Sequence, residues 1–280
     1  MNEKVKEALE RLEEGLVALL DTEQWKRYLR FQSQFHNYSF HNTLLIFMQK
    51  PDATMVAGFQ RWKEMGRFVR KGERGITILA PMFHTEPEDE ALSDIALQQV
   101  QDETGRKKLF GFRPVHVFDA QQTDGEPIPT VDGPEMMEGH TGWYESLWTA
   151  CPFPICEVPA GEDGALGSFS HRTRSIEIVE TLPEAQKSKV LIHEWAHGLL
   201  HSLTDRPERE TRELEAESTA FVVASALGFD TADYSFGYIA GWRGEEAVKT
   251  LKACGTRIQK AADTILAALQ PEQVIAKEAV

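Results

Sequence analysis

Cysteine is scarce in this chain: Cys151, Cys156 and Cys254 are the three among 280 residues. An odd, sparse set makes no disulfide framework. The pair flanking Pro152–Ile155 has no second Cys or His pair beside it to complete a zinc knuckle. Free thiols in a reducing cytoplasm are the expectation. Long apolar runs are also missing. No stretch reaches the about 18 consecutive apolar residues of a membrane span, and the opening MNEKVKEALERLEEGLVALL is charged throughout, with no signal-peptide core or cleavage site. No membrane partner is expected. Positive charge is not in excess either: 30 Lys+Arg stand against 44 Asp+Glu, a net charge of −14. That balance argues against a protein that coats nucleic acid with its whole surface. Internal repeats and low-complexity tracts are absent.

What remains is an ordinary globular composition, 41% hydrophobic and 26% charged, in a chain long enough for one large or two medium domains. The charge is uneven. Residues 1–83 carry 13 basic and 10 acidic side chains, whereas the remainder carries 17 and 34. A mildly basic first part and a strongly acidic second part suggest two tasks. The Gly-, Pro- and Asp-rich stretch 120–140 reads as the linker, which divides the chain into domains 1–129 and 130–280.

Apolar periodicity predicts helices over 3–31, 39–49 (closed by Pro51) and 58–67. It predicts strands over 76–83 and 109–118, with the acidic segment 84–106 between them as a surface loop or hairpin extension. In the second half, helices are expected around 143–148 and over 184–202, 208–227 and 244–269, and a strand over 174–179. The fold class is α+β: an N-terminal α+β domain, then a mainly helical domain with a small sheet. The strand 174–179 is either an edge that can add a substrate peptide or a plain core strand.

One helix carries the clearest chemistry. His193-Glu194-Trp195-Ala196-His197 places two imidazoles four residues apart, on one helical face, where both can reach one tetrahedral ion. Glu194 lies about 100° round from His193, where it can act as general base on a water that zinc acidifies to a pKa of about 7. The apolar flank Val190, Leu191, Trp195, Ala196, Leu199, Leu200 suits a packed helix. His201 continues the four-residue series, but the outer histidines of a straight helix lie about 12 Å apart along the axis. It is read as a C-terminal helix charge or cap. Position 203 is Leu203, so the longer three-histidine motif is absent.

A third ligand has to come from elsewhere. In RETRELEAESTAFVVASALG, Glu213 and Glu217 share a face with Ala216, Ala220 and Ala224. Glu213 is expected as the ligand, with Glu217 hydrogen-bonded to a ligand histidine. Spacing alone leaves the exchanged roles open. Glu208, Glu210 and Glu215 suit a solvated face.

In the first half, Arg61, Lys63, Arg67, Arg70, Lys71 and Arg74 crowd one segment, opposed by Glu64 and Glu73, with Phe59, Trp62, Phe68 and Tyr38 nearby. Cations that follow phosphates and rings that stack on bases are what single-stranded nucleic acid requires. Composition by itself fits a solvated charged face over an apolar core at least as well.

A resemblance bears on that choice. YSFHNTLLIFMQKPDATMVAGFQRWKEMGRFVRKGERGITILAP (38–81) and VFDAQQTDGEPIP (117–129) resemble the N-terminal domain of ArdC-type antirestriction proteins. The resemblance covers roughly residues 1–129. It implies single-stranded DNA as a partner, with Tyr38, Asn42, Trp62, Arg67, Arg70, Lys71 and Arg74 as contacts. HEWAHGLLH and ELEAESTAFVV resemble the two site helices of ImmA/IrrE-type zincin metallopeptidases. They imply His193, His197 and Glu213 as metal ligands and Glu194 as the catalytic base, with Zn2+ as the ion and Mn2+ or another divalent ion as the alternative. ADYSFGYIAGW (232–242) is similar too. The long acidic segment 84–106 departs from the pattern. Three functions are compatible with this reading: a DNA-docked zinc endopeptidase, a non-proteolytic antirestriction protein with a structural metal site, and a regulatory peptidase that cleaves a repressor. The protein substrate is not legible.

Overall fold

The amphipathic repeat that predicts one helix over 3–31 is cut in two. α1 spans Glu3–Ala18 and α2 spans Thr22–Gln32. Asp21 makes the break, because its side chain accepts the Glu23 and Gln24 backbone N–H groups and so caps a new helix. Leu16 and Leu19 keep the apolar spacing through the interruption, both buried, which hides it from periodicity. The computed structural model describes residues 3–35, 38–85, 107–128, 142–159, 164–202, 204, 207–229, 234, 236, 239, 242 and 244–269. Residues 86–106 of the acidic segment and 129–140 of the linker lie outside that set. The chain divides into two compact units, residues 1–15 with 44–127 and residues 16–43 with 128–280.

The first unit is built on a three-stranded antiparallel sheet, ordered β1 (Val56–Gly58), β4 (Lys107–Asp119), β3 (Ile76–Thr85). Ile76 pairs with Val117 and Ile78 with Val115, so that the alternating side chains bury one face. A register shift between Met82 and Phe83 bends the outer end. α3 (Phe40–Gln49) ends on Gln49, whose amide exchanges two hydrogen bonds with the Thr77 backbone, as a neighbouring strand would. Asp119 is fully buried, and it accepts from Thr54, Met55 and Gln121 backbone N–H groups. It thereby joins the start of β1 to the 3-10 turn Ala120–Gln122. A short pair, β2 (Arg67–Val69) with β5 (Thr123–Gly125), completes the unit beside α4 (Phe59–Glu64). Gly125 has φ +137°, and a Cβ there would lie 2.3 Å from the Gly66 carbonyl oxygen, so only glycine closes this pair.

In the second unit, β8 (Ser175–Val179) is the central strand of a three-stranded sheet. β6 (Ile155–Val158) pairs parallel on one side and β7 (Gly167–Ser170) antiparallel on the other. The segment 174–179 is therefore the core strand of the two readings, and the edges are β6 and β7. Around the sheet stand α5 (Tyr144–Ala150), α6 (Glu184–Leu200), α7 (Arg209–Ala226) and α8 (Gly244–Leu269). α7 is the innermost helix: Leu214 through Ala224 are buried except Glu217. α2 belongs to this unit, its Trp25 indole N–H donating to Ser218 Oγ of α7 at 3.0 Å. Among the described residues, no helix is long and apolar enough to cross a membrane.

Candidate metal centre

The periodicity of α6 sorts its side chains. Leu191, Ile192, Trp195 and Ala196 point into the core, at most 1% exposed. His193 and His197 share the neighbouring face, half-buried. α6 comes close to its neighbours at two glycines. A Cβ on Gly198 would meet the rings of Phe153 and Phe169 at 2.5 and 2.7 Å, and one on Gly167 would meet Val190 Cγ1 at 2.4 Å. The second contact lays β7 directly against the motif.

His193 Nε2 and His197 Nε2 lie 3.1 Å apart, and Glu213 Oε2 of α7 lies 3.6 Å from each. Four-coordinate zinc with nitrogen and oxygen ligands at about 2.0–2.1 Å requires ligand atoms about 3.3 Å apart. The three separations bracket that spacing, so the donor set fits one tetrahedral ion. The electrostatics favour a cation at the same point. Burial opposes charge on His193, but Glu213 and Glu217 outweigh it and push its pKa up to about 10. His193 and His197 hold the Glu213 carboxyl well below the usual carboxylate range, and burial pushes His197 down. Glu217 Oε2 approaches His193 Nδ1 at 3.2 Å, on the ring edge away from the cluster.

Glu194 is 8% exposed. Burial raises its pKa, against the pull of the nearby His193 charge, and the Phe169 backbone N–H of β7 donates to it. His193, Glu194 and Glu217 line a cleft of about 270 Å³ whose other walls include Gly167, Lys189 and Tyr234. A nearly buried carboxylate beside a three-donor metal cluster in an open cleft is equipped to take and return a proton.

One residue does not behave as the sequence suggests: Glu215 is 1% exposed rather than solvated. His201 is the C-cap of α6, one of the two roles read for it, and it is buried, 4% exposed. His201 Nε2 meets Glu215 Oε2 at 3.0 Å, and His201 Nδ1 meets His197 Nδ1 at 3.0 Å. The signal was present in the four-residue step from His197 to His201. Geometry along a straight helix removes His201 as a ligand, but not as a partner of one.

The expected DNA contacts fall into different environments. Trp62 is 0% exposed, with its indole N–H donating to the Phe118 carbonyl, so stacking on a base is closed to it. Arg67 donates to Thr123 Oγ1 and to the Thr123 and Glu126 carbonyls. Arg70 pairs with Glu73 and Asp124 and donates to the Gln121 carbonyl. Both arginines are occupied in holding the β2–β5 corner. Lys71 and Arg74 are exposed, as are Phe59 (57%) and Phe68 (58%). Tyr38 and Asn42 belong to the second unit, where the Tyr38 carbonyl accepts from Gln259 of α8.

Taken together, fold and site define a mixed α+β protein with a two-histidine, one-glutamate candidate metal centre. Comparison with known proteins matches two separate stretches of the chain. The N-terminal domain of anti-restriction factor ArdC matches residues 1–118, and the IrrE N-terminal-like domain of the M78 peptidases matches residues 156–236. The chain thus joins an ArdC-type N-terminal domain to an IrrE-like, metallopeptidase-type domain. It is 27% identical over 256 residues to the uncharacterized protein pXO2-81 of Bacillus anthracis, a match that takes in 76% of this chain and 42% of that one. The chain spans less than half the length of that relative. The metal-free crystal structure of the antirestriction ArdC protein from plasmid R388 shares the fold, with TM-score 0.53, 20% identity, and coverage of 84% of this chain and 86% of that one. The Mn(II)-bound structure of the same protein aligns with TM-score 0.49 and 20% identity, over 84% and 90% of the two chains.

Proposed function

We propose that this chain is a metal-dependent peptidase of the ArdC-like antirestriction type that binds single-stranded DNA through its N-terminal domain. The observation that carries the peptidase reading is the placement of buried Glu194 beside the His193, His197 and Glu213 donor atoms. A divalent ion there, with zinc the best match to the donor set, supplies Lewis acidity for a peptide carbonyl and acidifies water. The protein's own part is proton handling. Glu194 removes a proton from the attacking water and returns it to the departing amine nitrogen, a role favoured by burial, which raises its pKa. Glu213 and Glu217 keep the cleft negative around the cluster. A purely structural metal site has no need of a general base in an open cleft, which disfavours the non-proteolytic alternative.

The DNA reading rests on the ArdC-type domain and on exposed Lys71, Arg74, Phe59 and Phe68, which combine cations with accessible rings. Comparing proteome-wide cleavage products of wild type and Glu194→Gln, with and without single-stranded DNA, tests both halves. Peptides that appear only with wild type support the proposal. Identical product sets under every condition refute the peptidase reading.

A further inference from the structure

The contact between His197 and His201 leads beyond the three donor atoms. α6 ends at Leu200, and His201 leaves the helix with extended backbone, φ −119° and ψ 141°. That turn folds its ring back beneath His197, where it is closed from solvent. Its other nitrogen reaches Glu215 Oε2 on α7. Arg257 on α8 approaches the second oxygen of that carboxylate, Nε to Oε1, at 3.1 Å and also donates to the Leu200 carbonyl. Cys254, one turn earlier on α8, hydrogen-bonds Glu215 as well. A connected chain therefore runs from His197 through His201 and Glu215 to Arg257, and it ties together the three helices of the site. Burying a carboxylate and an imidazole is costly unless both are fully partnered, and this chain partners both.

With an uncharged His201 ring, hydrogen-bond roles give the chain one direction. An ionised carboxylate only accepts, so His201 Nε2 must carry the hydrogen. The Nδ1 of a neutral His201 is then a bare acceptor, which requires His197 Nδ1 to donate. His197 Nε2 is left as a lone pair, at the position 3.1 Å from His193 Nε2 and 3.6 Å from Glu213. Glu217 imposes the same tautomer on His193 from the opposite side.

We propose that His201, Glu215 and Arg257 form a positioning relay that sets the ring orientation and tautomer of His197 for metal binding. The proposal rests on the reading that His193, His197 and Glu213 hold a divalent ion. Histidine ligands almost always donate their second ring N–H to a fixed partner, and loss of that partner lowers metal affinity about 10–100-fold. Here the partner is a histidine backed by a carboxylate.

The test is Zn2+ affinity of the full-length protein, measured by chelator competition, alongside the melting temperature of each metal-free variant. His201→Phe removes the acceptor while filling the space, and it should weaken Zn2+ binding by about 10–100-fold. His201→Asn, which can offer an oxygen in place of Nδ1, should recover part of that loss. Glu215→Gln, which can present its amide either way round, should fall between wild type and His201→Phe. Should His201→Phe not fold, Arg257→Gln at the partly exposed outer end probes the same chain and should weaken binding several-fold, an order-of-magnitude expectation from the same rule. Folded variants that all bind Zn2+ as wild type does overturn the relay alone. So does a series in which melting temperature falls and affinity stays fixed. Wild-type protein that takes up no Zn2+ overturns the relay together with the metal reading beneath it.

Discussion

Gly198→Ala should destabilise this protein, although alanine is the better helix former. Gly198 lies within α6, where exchange for alanine gains about 1 kcal/mol in helix propensity. The added Cβ would stand 2.5 and 2.8 Å from Phe153 Cε2 and Cζ and 2.7 Å from Phe169 Cε2. The two rings pack edge to face with centroids 5.0 Å apart, so neither can retreat without moving the other. Overpacking of this kind costs about 1–3 kcal/mol, and three contacts below 3 Å place it near the top of that range. A net loss of about 2 kcal/mol follows, or a fall of about 3–4 °C in melting temperature for a chain of this size. Thermal unfolding by circular dichroism reads it, and adding Phe153→Leu should restore part of the loss by making room. A Gly198→Ala protein as stable as wild type would refute the packing of α6 against β7 and the segment before β6, and with it the placement of Glu194 under the Phe169 N–H.

Metal affinity should rise with pH. Burial and the neighbouring glutamates leave the His193 pKa at about 10 in the metal-free protein, and an ion needs that nitrogen bare, so each unit of pH increase up to that value should raise affinity about tenfold by isothermal titration. The same raised pKa means that the His193 contribution to metal-free stability is present below about pH 6.5 and is lost as pH climbs through about 10. Lys71→Glu with Arg74→Glu should weaken single-stranded DNA binding and flatten its salt dependence without lowering the melting temperature. Arg67→Ala should act in the opposite sense, lowering stability through the lost Thr123 and Glu126 contacts, and unchanged stability would return Arg67 to the candidate DNA surface. Asp119→Ala leaves the Thr54, Met55 and Gln121 N–H groups without their acceptor and should cost about 2–4 kcal/mol by chemical denaturation.

The residues that reveal themselves in sequence are those whose role is set by local spacing. His193 and His197 stand one helical turn apart, and α8 occupies the 244–269 that its periodicity outlines. Helix faces that a third element covers are less visible. Glu215 lies about 200° round α7 from Glu213, and it reads as solvated until α8 brings Arg257 and Cys254 against it. The strand β7 is Gly-Ser-Phe-Ser, with no alternation to mark it. It exists because Gly167 permits close approach to α6 and β8 supplies a partner. Trp62, Arg67 and Arg70 have intramolecular partners that composition does not show. Basic residues interleaved with aromatics look like a nucleic-acid surface, but the chain returns at Phe118–Glu126 to satisfy all three. Tertiary partners far along the sequence decide such cases, and composition does not encode them.

The central claim is that His193, His197 and Glu213 hold one divalent ion for which Glu194 is the working base. Its most direct test is metal content and peptide hydrolysis measured together on wild type, Glu213→Ala and Glu194→Gln. The account predicts about one equivalent of metal in wild type and in Glu194→Gln, strongly reduced metal in Glu213→Ala, and hydrolysis in wild type alone. Full metal occupancy in Glu213→Ala, or undiminished hydrolysis by Glu194→Gln, would contradict it.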